Sequence, residues 1–189
     1  MRITGGRFRG RRIHTGEGEG YRPATAKVRE ALFSMLSARG VDWSSCRVLD
    51  VFAGSGSLGL EAASRGAPFI RFVERDKRAA GLIRKSCKEL GLQPGDWLMS
   101  QDEAARVLAK GPDLPYDVAF VDPPYGQNLL ASALAQIVGK GWLRGGAWLV
   151  CEISADEDLG DLPEELGPPE TDKRYGQTRI LLWRTDQAA

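Results

Sequence analysis

The stretch RVLDVFAGSGSLG, residues 47–59, decides the fold class of this chain. Its first six residues are rich in apolar and β-branched side chains, which is typical of a buried strand. Glycines follow in a tight turn, and the residues after the turn have the spacing of a helix. A buried strand that turns directly into a helix is the first half of a strand–helix–strand unit, in which the strands run parallel.

The same alternation continues toward the C-terminus. Apolar runs predict strands at 47–52, 69–74, 97–100, 116–122 and 147–153, and the patterns between them predict helices at 58–65, 78–90, 103–110 and 129–138. After an acidic, proline-containing loop, a turn at Tyr175-Gly176 leads into a last strand. The sequence therefore predicts an α/β fold with a doubly wound, mostly parallel, seven-stranded Rossmann-like sheet that ends in an antiparallel hairpin.

The composition indicates a globular, cytoplasmic protein. The chain has 189 residues, of which 42% are hydrophobic and 27% are charged, and this suits one domain with a full-sized core. No apolar run approaches the ~20 residues that a membrane helix needs, so no membrane association is predicted. The three cysteines lie far apart and His14 is the only histidine, so we expect neither a disulfide framework nor a metal site.

The N-terminal segment is basic. The first thirty residues hold eight arginines and lysines against three glutamates, a net charge of +5, whereas the rest of the chain has −4. In MRITGGRFRGRRI, apolar residues alternate loosely with arginines and glycines, as in a short, flexible two-stranded segment. Two interpretations stay open: a solvated basic surface, or an arm that binds phosphate groups.

An amphipathic helix is predicted after this arm, with Thr25 as its cap and Gly40 just past its end. The apolar residues of its pattern are Val28, Ala31, Leu32, Met35 and Leu36. The chain therefore divides into a basic arm with its docking helix, residues 1–40, and a ligand-binding domain, residues 41–189.

The turn after the first strand predicts a nucleotide-type ligand site. Gly54, Gly56 and Gly59 form the pattern G-x-G-x-x-G. Glu74 ends the next strand about 20 residues later, where an acid holds ribose hydroxyls in such sites. Alone, the pattern indicates either a nicotinamide dinucleotide or a strand-to-helix turn without a ligand.

Asp50 favours a different ligand. A carboxylate at the strand end would repel a pyrophosphate in the adjoining loop. S-adenosylmethionine has no phosphate and carries an ammonium and a sulfonium group, so it fits an acidic rim better. Asp102 follows the third strand and has two open interpretations: an acceptor for the adenine amino group, or a cap for the helix that follows.

VDPPY, residues 121–125, predicts the chemistry. Asp122 and the carbonyl group of Pro123 would accept hydrogen bonds from an exocyclic amino group. Pro123 and Pro124 fix the corner, and Tyr125 offers a face on which a planar base stacks. Such a clamp directs the lone pair of the amine toward a sulfonium methyl group. No cysteine lies in this loop, which argues against carbon-5 methylation of pyrimidines, a reaction that needs a thiolate.

Together these motifs resemble those of the RsmD family of bacterial 16S rRNA guanine-N2 methyltransferases, which are class I enzymes that depend on S-adenosylmethionine. The resemblance runs through MRITGGRFRGRRI, RPATAKVREALFSML, VLDVFAGSGSLGLEAASRGA, Glu74, VDPPY and YGQT. One position departs from it. The family has threonine after Arg-Pro, whereas this chain has Ala24 followed by Thr25.

The resemblance implies methyl transfer to a guanine of the 966 type in 16S rRNA. The enzyme would be a cytoplasmic monomer, and its partner the small ribosomal subunit or an assembly intermediate. It also implies a cofactor site of Asp50, Ala53, Gly54, Ser55, Gly56, Glu74 and Asp102. The guanine amino group is implied to lie against Asp122, Pro123, Pro124 and Tyr125. Contacts with rRNA are implied for Arg7, Arg9, Arg11, Arg12, Arg22 and Lys27.

Three other functions stay open. An adenine or cytosine amino-methyltransferase acting on DNA or other RNA uses Asp-Pro-Pro-Tyr as well, but this chain shows no evident domain for reading a duplex. The glycine pattern alone is compatible with a nicotinamide-dependent oxidoreductase. The basic arm alone is compatible with a non-catalytic rRNA-binding module.

Overall fold

A mixed β-sheet forms the centre of the protein in a computed structural model. This structure describes residues 1–16, 26–124, 129–157 and 159–186. The strands of the described residues are β1 Arg47–Val51, β2 Phe69–Val73, β3 Trp97–Ser100, β4 Tyr116–Val121, β5 Leu143–Ser154, β6 Thr171–Tyr175 and β7 Thr178–Arg184. Their α-helices are α1 Ala26–Ala38, α2 Ser57–Arg65, α3 Lys77–Leu90, α4 Ala104–Leu108 and α5 Leu129–Gly139. The predicted cap Thr25, the departure at Ala24, and the candidate site residues Arg22 and Tyr125 lie outside the described residues.

The strands lie in the order β3-β2-β1-β4-β5-β7-β6. Strands β1 to β5 pair in parallel, and β7 runs antiparallel between β5 and β6. This confirms the predicted doubly wound, mostly parallel sheet and its terminal hairpin, whose turn contains Gly176 at φ 64°. The strand order reverses between β1 and β4, so their carboxyl ends border the crevice in which such sheets bind ligands.

Different helices cover the two faces of the sheet. Successive side chains of a strand point to opposite faces. Val48 and Phe120 pack with apolar side chains of α1, α2 and α3. Leu49 and Val121 pack on the other face with those of α4 and α5. Because the central strands are buried on both faces, they are apolar runs in the sequence.

Helix α1 buries a wider face than its apolar spacing predicts. The ring of Phe33 lies 4.9 Å from the ring of Trp43 and 5.6 Å from the ring of Phe120. Arg29 is only 1% exposed, and its guanidinium group donates a hydrogen bond to the carbonyl of Arg2 at 2.8 Å. The helix is therefore covered by the sheet on one side and by the N-terminal arm on another, which a single apolar stripe does not indicate.

The first sixteen residues form a packed hairpin, where the sequence predicts a flexible segment. One antiparallel bridge joins Arg2 to Arg12. The side chains of Ile3 and Ile13 are buried in the same apolar cluster as α1 and α2. Burying these two side chains offsets part of the entropy that the arm loses on becoming ordered.

The carboxylate of Glu61 on α2 anchors the arm. It accepts hydrogen bonds from the backbone N–H groups of Thr4 at 2.9 Å and Gly5 at 2.7 Å, and from the Thr4 hydroxyl at 2.7 Å. Nearby, the Ser64 hydroxyl accepts from the N–H of Phe8 at 2.9 Å. A fully buried carboxylate is costly unless it is hydrogen-bonded, so the arm and α2 stabilise each other.

Gly59 on α2 permits the close approach of this helix to the sheet. A Cβ atom there would overlap the ring of Phe72 and would lie 2.8 Å from Cγ2 of Ile70. We expect Gly59→Ala to lower the free energy of unfolding by about 1–3 kcal/mol, as measured by urea denaturation. Gly81→Ala is the matched control because Gly81 is also inside a helix but a Cβ there meets nothing within 4 Å; it should be neutral or stabilising. Equal effects of the two substitutions would contradict the steric argument.

Candidate functional site

The carboxyl ends of four parallel strands meet at one edge of the sheet. Backbone hydrogen bonds join the residues that follow these strands: Ala53 N–H donates to Val73 at 3.0 Å, and Asp122 N–H donates to Val51 at 3.3 Å. Glu74 N–H likewise donates to Ser100 at 3.1 Å. Residues that are far apart in sequence are therefore brought to one place. These are the glycine loop after β1, Glu74 after β2, Asp102 after β3 and Asp122 after β4.

The glycine loop turns through left-handed backbone at three positions. Gly54 has φ 53° and Gly56 has φ 71°, and Gly56 is the N-cap residue of α2. Phe52 also has a positive φ of 60°, which costs a non-glycine residue about 1–3 kcal/mol. Such strain persists where the surroundings determine the backbone, and it is frequent at ligand sites. Ala53 and Ser55, between these positions, are buried.

Glu74 holds the glycine loop in place. Its Oε2 atom accepts a hydrogen bond from the N–H of Gly54 at 2.7 Å, and its Oε1 atom accepts from the N–H of Asp76 at 2.7 Å. Each carboxylate oxygen has two lone pairs, so both can accept a second donor. The same side chain can thus shape the loop and receive the hydroxyl groups of a ribose.

Asp50 is a buried acid behind the glycine loop. It is 2% exposed, and its Oδ2 atom accepts a hydrogen bond from the N–H of Gly59 at 2.9 Å. Burial raises the pKa of Asp50 to about 8; the bond from Gly59 opposes this and the Glu74 charge adds to it. The energetic cost of its negative charge is relieved when a cationic group binds nearby.

The raised pKa of Asp50 makes the stability of the protein depend on pH. In the unfolded chain an aspartate has a pKa of about 3.9. Because the pKa of Asp50 is higher in the folded protein, the contribution of its protonated form to stability is fully present below about pH 4. This contribution is lost as the pH rises toward the folded pKa of about 8. We expect Asp50→Asn to raise the free energy of unfolding at pH 8 by a few kcal/mol and to have little effect at pH 4, as measured by urea denaturation. Asp113→Asn, at an exposed position, is the control; the same pH dependence in wild type and Asp50→Asn would contradict the prediction.

Asp102 lies just before α4 but is not its N-cap residue. The N-cap is Glu103, whose side chain makes no capping hydrogen bond. The Asp102 carboxylate accepts from the N–H of Glu103 at 2.8 Å and lies 3.5 Å from the guanidinium group of Arg106. The interpretation of Asp102 as the N-cap residue of this helix is therefore wrong. The Asp102 side chain is 37% exposed, so its carboxylate is accessible to a ligand. Its role as an acceptor for the adenine amino group stays a prediction.

The Asp-Pro-Pro corner lies beside the glycine loop. Pro123 is buried and Pro124 is exposed. Part of Asp122 is exposed, but its carboxyl group is surrounded by protein, and this burial raises the pKa of Asp122 well above its ordinary value. The negative charges of Glu152, Asp50 and Glu157 add to that effect, in that order.

Three buried charged residues are absent from the predicted site and contact residues. Glu61 anchors the arm, Arg29 is buried on α1, and Glu152 is buried on β5 beside Asp122. Only Glu152 leaves a recognisable signal, because a glutamate stands inside the apolar run AWLVCEI. The other two lie on helices, where charged residues are ordinary.

The arm presents basic side chains to solvent. Arg7, Arg9, Arg11 and Arg12 are all exposed, and so is Lys27 on α1. The Arg7 guanidinium group lies over the ring of Phe8, and that of Arg11 donates to the carbonyl of Glu89 at 2.6 Å. For the part of the chain that the structure describes, no helix is long and apolar enough to cross a membrane.

Residues 1–184 match a family model described as Conserved hypothetical protein 95. The chain is 36% identical to Ribosomal RNA small subunit methyltransferase D of Escherichia coli (strain K12) over 164 residues, which is 86% of this chain and 79% of the relative. The candidate methyltransferase yhhF from Escherichia coli has a similar structure, with a TM-score of 0.84 at 32% identity over 100% of this chain and 99% of that one. A candidate S-adenosylmethionine-dependent methyltransferase from Streptococcus mutans shares the fold alone, with a TM-score of 0.65 at 14% identity over 88% and 50% of the two chains.

Proposed function

The chain belongs to the ribosomal RNA small subunit methyltransferase D (RsmD) family, and from this premise we propose that it methylates the N2 amino group of a guanine in 16S rRNA. S-adenosylmethionine is the methyl donor. The observation that carries the proposal is the Asp-Pro-Pro corner directly after β4, which is hydrogen-bonded to β1 through Asp122 N–H and the carbonyl of Val51 at 3.3 Å. An acceptor for an amine thus follows the strand adjacent to β1, which leads into the glycine loop.

The residues after β1 and β2 suit S-adenosylmethionine in shape and charge. When bound, this cofactor supplies a methyl group on a positively charged sulfur. Gly54 and Gly56 supply the left-handed turns of this loop, at φ 53° and 71°, which residues with a side chain rarely adopt. Glu74 would accept from its ribose hydroxyls and Asp102 from its adenine amino group. Asp50 would become a carboxylate facing its positive charges, and Ala53 and Ser55 would complete the loop wall.

Asp122 and the carbonyl group of Pro123 would hold the guanine amino group. Both atoms accept hydrogen bonds, so they would fix the two N–H bonds of the amine and direct its lone pair toward the methyl group. Pro124 fixes the direction of the loop. Tyr125, outside the described residues, would stack on the base after the base has left its own stack.

The N-terminal arm would bind the phosphate groups of the rRNA. Its exposed arginines Arg7, Arg9, Arg11 and Arg12, with Lys27 and with Arg22 outside the described residues, would provide the positive charge. We therefore treat residues 1–40 as the RNA-facing part of the protein and residues 41–189 as the class I methyltransferase domain. The enzyme would act as a cytoplasmic monomer on the small subunit or on an assembly intermediate.

The decisive experiment supplies methyl-labelled S-adenosylmethionine together with small-subunit particles, free 16S rRNA or duplex DNA, all from cells that lack the enzyme. The labelled nucleoside is then identified after digestion. We expect N2-methylguanosine from the ribosomal samples. Labelled adenine or cytosine from DNA would replace the ribosomal assignment with the rival amino-methyltransferase. An absence of label in every sample, with tight binding of a nicotinamide dinucleotide, would refute methyl transfer.

A further inference from the structure

Glu152 on β5 is a buried acid beside the acceptor corner. The residue is 2% exposed, and its Oε2 atom has no hydrogen-bond partner within the described ranges. Leaving a buried carboxylate oxygen unpartnered costs free energy. The strand neighbours Cys151 and Ile153 are buried without such a cost, so the carboxyl group of Glu152 needs charged or hydrogen-bonding neighbours to offset its burial.

The strand register places Glu152 next to Asp122. Strands β4 and β5 are paired in parallel at Val121 and Cys151, and Asp122 and Glu152 are the residues that follow directly. Because alternate residues of a strand share a face, both side chains point to the face that α1 covers. Asp50, at the end of β1, points to the same face. Asp50, Asp122 and Glu152 therefore lie on one face at this edge of the sheet, in or directly after three adjacent strands.

The charged groups around this pair come from several elements. Asp122 faces Glu152 from β5, Asp50 from β1 and Glu157 from the segment after β5. Glu152 faces the guanidinium group of Arg29 on α1. Burial raises the pKa of Glu152 to about 7 while Arg29 opposes the rise. The Cys151 thiol also lies near Asp122, and burial raises its pKa.

Two adjacent carboxyl groups in the interior do not both ionise readily, because each charge disfavours the other. Burial raises the pKa of both groups, which favours the state with one carboxyl group ionised and the other protonated over the doubly ionised state. Within that state, the Arg29 guanidinium group favours ionisation of Glu152. A pair of this kind titrates in two steps that belong to both groups together.

We propose that Glu152 is a positioning residue of the methyl-acceptor site, which shares one proton with Asp122 so that the pair can take up the proton released by the guanine amine. This inference rests on the proposed methyl transfer. In the step, the bond from N2 to the methyl carbon forms, the sulfur–methyl bond breaks, and its electron pair stays on sulfur. N2 gives up one proton, and this proton neutralises the negative charge of the pair.

The first test follows the carboxyl carbons of Asp122 and Glu152 by NMR during a pH titration of the enzyme without substrate. In the wild type we expect each signal to change in two steps. In Glu152→Gln, Asp122 should titrate in one step that lies between the two wild-type steps, because one of the two interacting sites is gone. Asp122→Asn gives the reciprocal experiment on Glu152 and serves if Glu152→Gln does not fold. An identical Asp122 titration in wild type and Glu152→Gln would overturn the proposal.

The second test measures the pH dependence of kcat for methyl transfer. In Glu152→Gln, which removes one proton acceptor of the pair, we expect the acidic limb of the profile to move to higher pH by about one unit. At pH values below the limb, kcat should therefore fall about tenfold. Glu157→Gln removes a weaker and more exposed charge near Asp122 and should move the limb little. A loss that is equal at every pH would indicate a merely structural role for Glu152. A wild-type enzyme that transfers no methyl group would refute the proposed function instead, so the two failures are separable.

Discussion

Replacing Asp122 with alanine is expected to lower kcat for methyl transfer about 10³-fold while S-adenosylmethionine binds nearly as before. In the proposed reaction the substitution removes an acceptor that would direct the guanine amine, together with the carboxyl group that would receive its proton. It retains the backbone N–H of residue 122 and therefore the 3.3 Å bond to Val51 that joins the corner to β1. Single-turnover transfer rates and calorimetric titration with the cofactor measure the two effects separately.

Asp122→Asn is the matched control for this prediction. Asparagine has nearly the same shape and keeps one acceptor oxygen, but it cannot take up a proton. We therefore expect its rate to lie between those of wild type and Asp122→Ala. If Asp122→Ala kept nearly normal kcat, the acid would not belong to the acceptor clamp. If cofactor affinity fell as much as the rate, Asp122 would act through the cofactor site.

Replacing Arg9 and Arg12 together with glutamine should weaken binding to 16S rRNA about 10–100-fold at low salt. Both side chains are exposed on the arm, and among the described residues neither donates a side-chain hydrogen bond. Each phosphate contact that is lost lowers the slope of log affinity against log salt by about 0.7–0.9. Filter binding or fluorescence anisotropy over a range of salt concentrations measures both quantities.

The double variant Lys110→Gln with Lys140→Gln is the control for charge alone. These lysines are exposed after α4 and α5, on the opposite side of the sheet from the arm. This double variant changes the net charge as much as the double arginine variant does. It should leave the slope of log affinity against log salt nearly unchanged. Equal effects of the two double variants would identify the arm as a solvated basic surface. Deleting the whole arm is less informative because Ile3 and Ile13 belong to the core.

The alternation of strands and helices is readable in the sequence, because it depends on local periodicity and turn residues. The observed boundaries of β1 to β4 agree with the predicted boundaries to within one residue, and the turn near Gly176 is where the pattern predicts it. Strand β5 begins at Leu143 instead of 147. Two glycines conceal the first part of β5 in the sequence, since glycine has low strand propensity. Leu143 pairs with Tyr116 of β4, and the pairing resumes at Trp148 after a register shift that takes up the two glycines.

By itself, the sequence determined which elements form, where the glycine loop lies, and which acids end β1, β2 and β4, because each depends on residues that are close in the chain. Only the tertiary structure decided the partners of the buried charges. Glu61 accepts a hydrogen bond from the backbone N–H of Thr4, which is 57 residues away in the chain. The charge of Glu152 interacts with both Asp122 and Arg29. Such pairs depend on how whole helices pack on the sheet. No local pattern encodes that packing, so the docked arm and the paired acids emerged only from the assembled fold.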